Sequence, residues 1–179
     1  MTVALKRLST DYSPVEDRVR FVGEIDDAES VVLWLTQRLL RMMTPVLLKW
    51  VENPAGEKAE AKKPGEAART AVVQSFVQEA ARASALVPSP PVQARPQSTS
   101  WVVHTVDFKG DVERMRLRFI GPKEMMETQD FAIVFEVAAM RQFLAILQEI
   151  TRRGGWPQDQ WPDWMEPPPP PPRETAALH

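Results

Sequence analysis

Cysteine is missing from these 179 residues, histidine occurs twice, tyrosine once and glycine seven times. Without thiols there is no disulfide framework, no thiol nucleophile and no thiolate-ligated zinc. His104 and His179 are too few for a histidine metal cluster, and no Cys–His pair can be built. His104 lies between Val102 and Val106 in a β pattern, where a core or edge histidine with one hydrogen bond is the plain reading. The glycines spell neither GxGxxG nor GxxxxGKS/T, so no phosphate cradle is present, and Gly121-Pro122-Lys123 reads as a turn. Paired carboxylates exist, but Asp26/Asp27 reads as a helix cap and Glu124/Glu127 as loop. An inventory this thin points away from an enzyme and predicts no metal and no cofactor.

Long uncharged apolar runs are lacking as well. The greasiest stretch, Asp26 to Asn53, contains Arg38, Arg41 and Lys49, whereas a membrane span needs about 20 mostly uncharged residues. A net charge of -2 exerts no long-range pull on nucleic acid or anionic lipid. The N-terminal MTVALKRLSTDY holds no apolar run of signal-peptide length. With the absence of cysteine, this leads us to expect a cytoplasmic protein.

What the chain does hold is 44% hydrophobic residues, 17 prolines and six tryptophans. The Asp26–Asn53 stretch reads as a helix: Asp26 and Glu29 resemble a capping box, and Asn53-Pro54 a stop. At 100° per residue, Val32, Leu35, Leu39, Leu40, Met42, Met43, Val46, Leu47 and Trp50 share about half its circumference. Pro45 predicts a kink or a split near Arg41–Met42. Before this helix, Val3–Leu8 and Asp17–Ile25 read as strands forming a hairpin. Beyond it, Trp101–Phe108, Val112–Ile120 and Phe131–Val137 read as three more, with a tight turn at Lys109–Asp111. An amphipathic helix through Met140, Phe143, Leu144, Ile146, Leu147 and Ile150 follows, with Arg141, Gln148, Glu149 and Arg152 on its opposite side, stopped by Gly154-Gly155.

The expected fold is α+β: an antiparallel sheet of about five strands, in the order ββα-[α]-βββα. Helices would pack on one face, with the sheet rolled toward a half-barrel or sandwich as the leading variant. Residues 1–52 and 99–155 form one domain in this reading. Residues 53–98 are an inserted linker with one peripheral helix, its thin stripe running through Ala68, Val72, Phe76, Val77 and Ala80. Residues 156–179 are an extended Trp/Pro-rich tail containing the polyproline run Pro167–Pro172.

Two surfaces compete for function. The wide helix stripe (Leu35, Leu39, Met42, Met43, Val46, Trp50) and the tail tryptophans Trp161 and Trp164, expected outside, suit contact with another protein, either a second copy or a subunit of a larger complex. Trp156, beside the helix stop, is expected inside. Alternatively, Arg18 and Arg20 in one strand and Arg114, Arg116 and Arg118 in another could line one sheet face, provided the two strands are neighbours. No aromatic residue is expected among them, and nearby carboxylates offer pairing, so nucleic acid is disfavoured. The leading reading is a non-enzymatic interaction or assembly subunit, homo-oligomeric or part of a complex. Anion binding is second, and an enzyme of unidentified type third.

Overall fold

The computed structural model describes residues 2–26, 29–52, 64–84, 90–122 and 129–166. Asp27, the charged segment opening at Asn53, Lys123, the Glu124/Glu127 pair, the proline run and His179 lie outside the described residues. The elements are β1 (Thr2–Ala4), β2 (Arg7–Ser13), β3 (Arg18–Glu24), β4 (Ser30–Leu35), α1 (Gln37–Glu52) and α2 (Pro64–Ala83). They continue with β5 (Thr99–Val102), β6 (Thr105–Gly110), β7 (Arg114–Ile120), β8 (Asp130–Glu136) and α3 (Val137–Arg153), then a 3₁₀ turn at Asp163–Met165. The class is α+β, but the strands make two four-stranded sheets rather than one of five. Their orders are β1-β8-β7-β6 and β2-β3-β4-β5. All neighbours run antiparallel except β1–β8 and β4–β5, which are parallel.

Both sheets are completed by exchange. The first and third of the expected strands each break in the middle, where consecutive residues bond to different sheets. Leu5 N–H donates to Ala132 O (2.7 Å) and Lys6 N–H to Glu24 O (2.8 Å). Val103 N–H donates to Trp34 O (2.8 Å) and His104 N–H to Ile120 O (2.9 Å). At the first crossing Leu5 passes directly over Gly23, where an added Cβ would lie 2.7 Å from a Leu5 methyl. The result is two halves with one plan: a short strand given to the other half's sheet, a three-stranded meander, and a helix. Arg7↔Glu24 opens the first meander and Thr105↔Ile120 the second.

The expected helix from Asp26 begins too early. Ser30–Leu35 is a strand, buried along nearly its whole length. A strand covered on both faces shows no polar–apolar alternation, so its apolar run merges with that of the helix behind it. The Asp26 side chain does accept from Glu29 N–H (2.7 Å), but inside the β3–β4 hairpin. Thr36 caps α1 instead, its Oγ1 accepting from Leu39 N–H at 3.2 Å. The helix then runs unbroken through Pro45; proline removes only one donor, and its ring faces solvent. Near the N-terminus, β2 extends to Ser13, past the strand end expected at Leu8, because β3 supplies its ladder partners.

One core joins the layers. Phe21 meets Phe119 edge to face across the two sheets (centroids 5.8 Å apart) and Phe143 of α3 at 5.7 Å. Trp101 lies against Phe131 at 6.1 Å, and Phe135 stacks on Phe143 at 4.8 Å. Leu40, Met43 and Leu47 of α1 and Met140, Leu144 and Leu147 of α3 complete it. Each such side chain contributes about 1.5–3 kcal/mol of burial, which makes this core the main source of stability. Among the described residues no helix is long and apolar enough to cross a membrane.

Candidate contact surfaces

The stripe of α1 divides between core and solvent. Leu35, on β4, and Met43 are buried. Leu39 and Trp50 are half-buried against the core, and Trp50 Nε1 donates to Asp111 O in the β6–β7 turn at 2.7 Å. Met42 is 60% exposed and Val46, one turn on, 42%. Alongside them α1 stands off from the β5–β6 segment, leaving a cleft of about 520 Å³. Leu39, Met42, Val103, Val106 and Phe108 line it, with Arg38 and His104 among its polar residues. Its strand wall, β6, is the last strand of its sheet, so one backbone edge has no ladder partner among the described residues. The cleft is therefore an apolar trough between a helix and a free strand edge, a shape suited to an extended or helical polypeptide segment.

The second helix packs the opposite way round from its sequence. Gln74 and Gln78 face inward, Gln78 completely covered, while Val72, Val73, Phe76 and Val77 face solvent, Phe76 at 76%. The inward glutamines meet Arg141, expected on the solvent side of α3 and in fact 3% exposed. Arg141 donates to Val51 O (2.7 Å), to Gln74 Oε1 and to Gln78 Oε1 (3.4 Å), and its guanidinium lies 5.4 Å from the Trp164 ring centroid. Among the described residues no carboxylate pairs with it; burial pushes its pKa down, and the nearby charge of Glu52 opposes this. Arg141 thus ties α1, α2, α3 and the tail into one knot. No periodicity announces it, because an arginine amid polar helix positions looks like any solvated one.

The described part of the tail, residues 156–166, folds back over the molecule. Trp161 and Trp164, expected outside, are 6% and 8% exposed, and Trp156 is buried as expected. Trp164 Nε1 donates to Glu52 Oε1 at 3.0 Å, and Arg41 makes two bonds to Asp159 at 2.8 and 2.9 Å. This pairing holds Asp159 below the usual carboxylate range and raises Arg41. Trp156 Nε1 (2.8 Å) and Tyr12 OH (2.7 Å) both donate to Asp17 in the β2–β3 turn. Those two bonds lower the Asp17 pKa, the indole first, and the phenol's pKa rises through its bond to Asp17. Tyr12 sits so close over Gly154 that an added Cβ would lie 2.9 Å from its ring. Prolines do forbid a continuous helix here, but the indoles still find buried sites.

The two arginine strands are not neighbours. β3 is central in one sheet and β7 in the other, so the five guanidiniums occupy two separate outer faces. Arg18 pairs with Glu16 (3.7 Å), Arg114 with Glu136 (3.3 Å), and Arg118 with Asp107 and Asp130. Arg20 and Arg116 make no ion pair among the described residues. Arg20 lies in register with Asp11 on one side and Trp34 on the other, which places an aromatic ring beside it. Arg116 lies between Lys109 and Val134. Among the described residues no three His, Cys, Asp or Glu side chains converge as a metal site. No family model matches the chain, and neither a curated protein nor a solved structure matches it.

Proposed function

We propose that this protein is a non-enzymatic interaction or assembly subunit whose contact surface is the trough between α1 and β6. The observation that carries the reading is Met42: a large apolar side chain, 60% exposed, at the rim of a 520 Å³ cleft walled by Leu39, Val106 and Phe108. Water gains nothing from such a surface, and an apolar cleft beside a free strand edge offers a partner both burial and main-chain hydrogen bonds. Trp50 and Trp164 support it from behind by fixing α1 to the β6–β7 turn and to the tail, and Trp161 is buried in the core beside them. The occupant is a polypeptide segment of a second copy or of another subunit. Immobilised chain should retain that partner, and Met42→Asp should cut retention at least tenfold, since it places a charge where the contact buries an apolar side chain. The variant should keep its far-UV circular dichroism. Undiminished retention would remove the trough from the reading.

A second reading, anion binding, is favoured by Arg20 and Arg116, the two of the five strand arginines that make no ion pair among the described residues, and by Trp34 beside Arg20. It requires oligonucleotide retention that falls steeply with salt and drops with Arg20→Ala. Absence of any retention at low ionic strength sinks it.

A further inference from the structure

The outer face of α2 is separate from the α1 trough and is left bare by the described residues. At 100° per residue Arg69, Val72, Val73, Phe76, Glu79, Ala80 and Ala83 fall within a band of about 120°, opposite Gln74, Gln78 and Ala81. The band is exposed throughout and its opposite side is buried. A peripheral helix ordinarily turns its valines and phenylalanine inward and its glutamines out. Here the glutamines are committed to Arg141, so the apolar band faces away from the core formed by the described residues. That arrangement costs solvation free energy unless a second surface covers it.

We propose that the cover is a second copy of this chain, the two α2 helices packing antiparallel about a twofold axis. The band is self-complementary. Arg69 and Glu79 stand equally far from the level of Gln74, and so do Val72 and Phe76. An antiparallel copy centred at that level sets Val72 over the partner's Phe76 and Arg69 against the partner's Glu79, and each pairing occurs twice. A chance apolar helix has no reason to carry opposite charges at matched distances from its midpoint. Both charges are available. Arg69 has no partner among the described residues, and Glu79 has only a 4.0 Å contact with Arg82, itself held by Met165 O and Gln148. Val72, Val73, Phe76 and Val77 expose on the order of 400 Å² of apolar surface, about half of what one partner buries in a standard interface. The pair is therefore weak, with a dissociation constant in the micromolar range rather than the nanomolar.

Light-scattering mass of the intact chain, measured across concentration, tests this. The wild type should rise from its 20.3 kDa monomer toward twice that mass. Phe76→Asp and the milder Phe76→Ser should stay monomeric with unchanged circular dichroism, because residue 76 is 76% exposed and lies outside the core. Reversing either charge alone, Arg69→Glu or Glu79→Arg, should weaken the dimer about tenfold by placing like charges together twice. The double reversal should return it to within about threefold of the wild type. Because the native chain has no cysteine, Val73→Cys near the axis should oxidise to a covalent dimer, and Met42→Cys should not. A wild type that stays monomeric to millimolar concentration, or a dimer indifferent to Phe76, overturns the proposal. So does a double reversal that fails to rescue, which removes the antiparallel register. A dimer lost with Met42→Asp but kept with Phe76→Asp would put the second copy in the α1 trough instead.

Discussion

The two halves of this molecule follow one plan and finish differently. Each contributes a short strand to the other's sheet, then a meander whose middle strand begins alike: Arg18-Val19-Arg20-Phe21 in β3 and Arg114-Met115-Arg116-Leu117 in β7. Each helix follows its last strand with at most one residue between, and the buried positions match: Leu40, Met43, Thr44 and Leu47 in α1, Met140, Phe143, Leu144 and Leu147 in α3. Each half also sends a tryptophan to the other half's hairpin. Trp50, at the end of α1, bonds Asp111 in the β6–β7 turn; Trp156, just past α3, bonds Asp17 in the β2–β3 turn. Even the helical arginines correspond. Arg41 meets the segment that follows α3, and Arg141 meets α2, which follows α1.

The difference lies in the covering. Over α3, helix α2 hides Arg141, and Gln142 donates to Ala81 O at 3.0 Å. At the matching places on α1, Arg41 is an exposed ion pair and Met42 projects into solvent. The same backbone plan therefore has one finished side and one unfinished side, and the side chains agree with it: glutamine where a carbonyl waits, methionine where nothing does. Shared architecture sets the core, while the inserted helix decides which surface is left for others.

The largest expected effect comes from removing the covered arginine. Arg141→Ala leaves Val51 O and the Gln74 side chain without their donor, strips the Trp164 face and opens a hole beneath α2. Unsatisfied buried acceptors cost about 1–3 kcal/mol each, so a loss of about 3 kcal/mol is expected overall. For a chain of this length that lowers the thermal midpoint by roughly 6–12 °C. Arg41→Ala breaks only a solvent-screened pair and should move the midpoint by no more than about 2 °C. Calorimetry on both variants decides it: equal shifts would mean that the tail covers α1 as firmly as α2 covers α3, and the contrast between the halves would fail.

Much of this was legible in residue order, for reasons that also explain the remainder. Strands open to solvent on one face, such as β3 and β7, announce themselves by alternation, and α3 by its 3.6-residue spacing, so their positions could be read nearly to the residue. β4 could not, because burial on both faces erases alternation and Thr36, the real cap, is an ordinary polar residue. The sheet crossings at Leu5–Lys6 and Val103–His104 leave no local mark; they exist only because strands far away in sequence accept those N–H groups. The repeated Arg-x-Arg strands were visible, yet they signal two equivalent strands in two sheets rather than two neighbours in one. Among the candidate contact residues, periodicity showed which side of α1 is apolar but not how much of it the chain would cover itself. Leu35 and Met43 went inside, while Met42 and Val46 stayed out. The inversion of α2 follows from Arg141, a partner more than 60 residues away in sequence, which no helical wheel of α2 alone contains.

The smallest effect is also the sharpest comparison, because the two tryptophan contacts differ only in what they grip. Trp50→Phe removes a hydrogen bond to a carbonyl and should cost about 1 kcal/mol at any pH, as neither group titrates between pH 3 and pH 7. Trp156→Phe removes a bond to a carboxylate whose folded pKa that indole, together with Tyr12 OH, holds below its ordinary value. A depressed acid stabilises the fold fully above its unfolded pKa of about 3.9 and loses that contribution as pH falls through the folded value. The penalty for Trp156→Phe should therefore be greatest near neutrality, shrink below about pH 4 as the unfolded carboxyl takes up its proton, and vanish once the folded one does too. Thermal midpoints of both variants and the wild type, taken from pH 7 down to pH 3, give the answer. Converging curves for wild type and Trp156→Phe, beside parallel curves for wild type and Trp50→Phe, are the expected pattern. Parallel curves for both would mean that the Asp17 contact works only as packing, and the two hairpin grips would then be the same device.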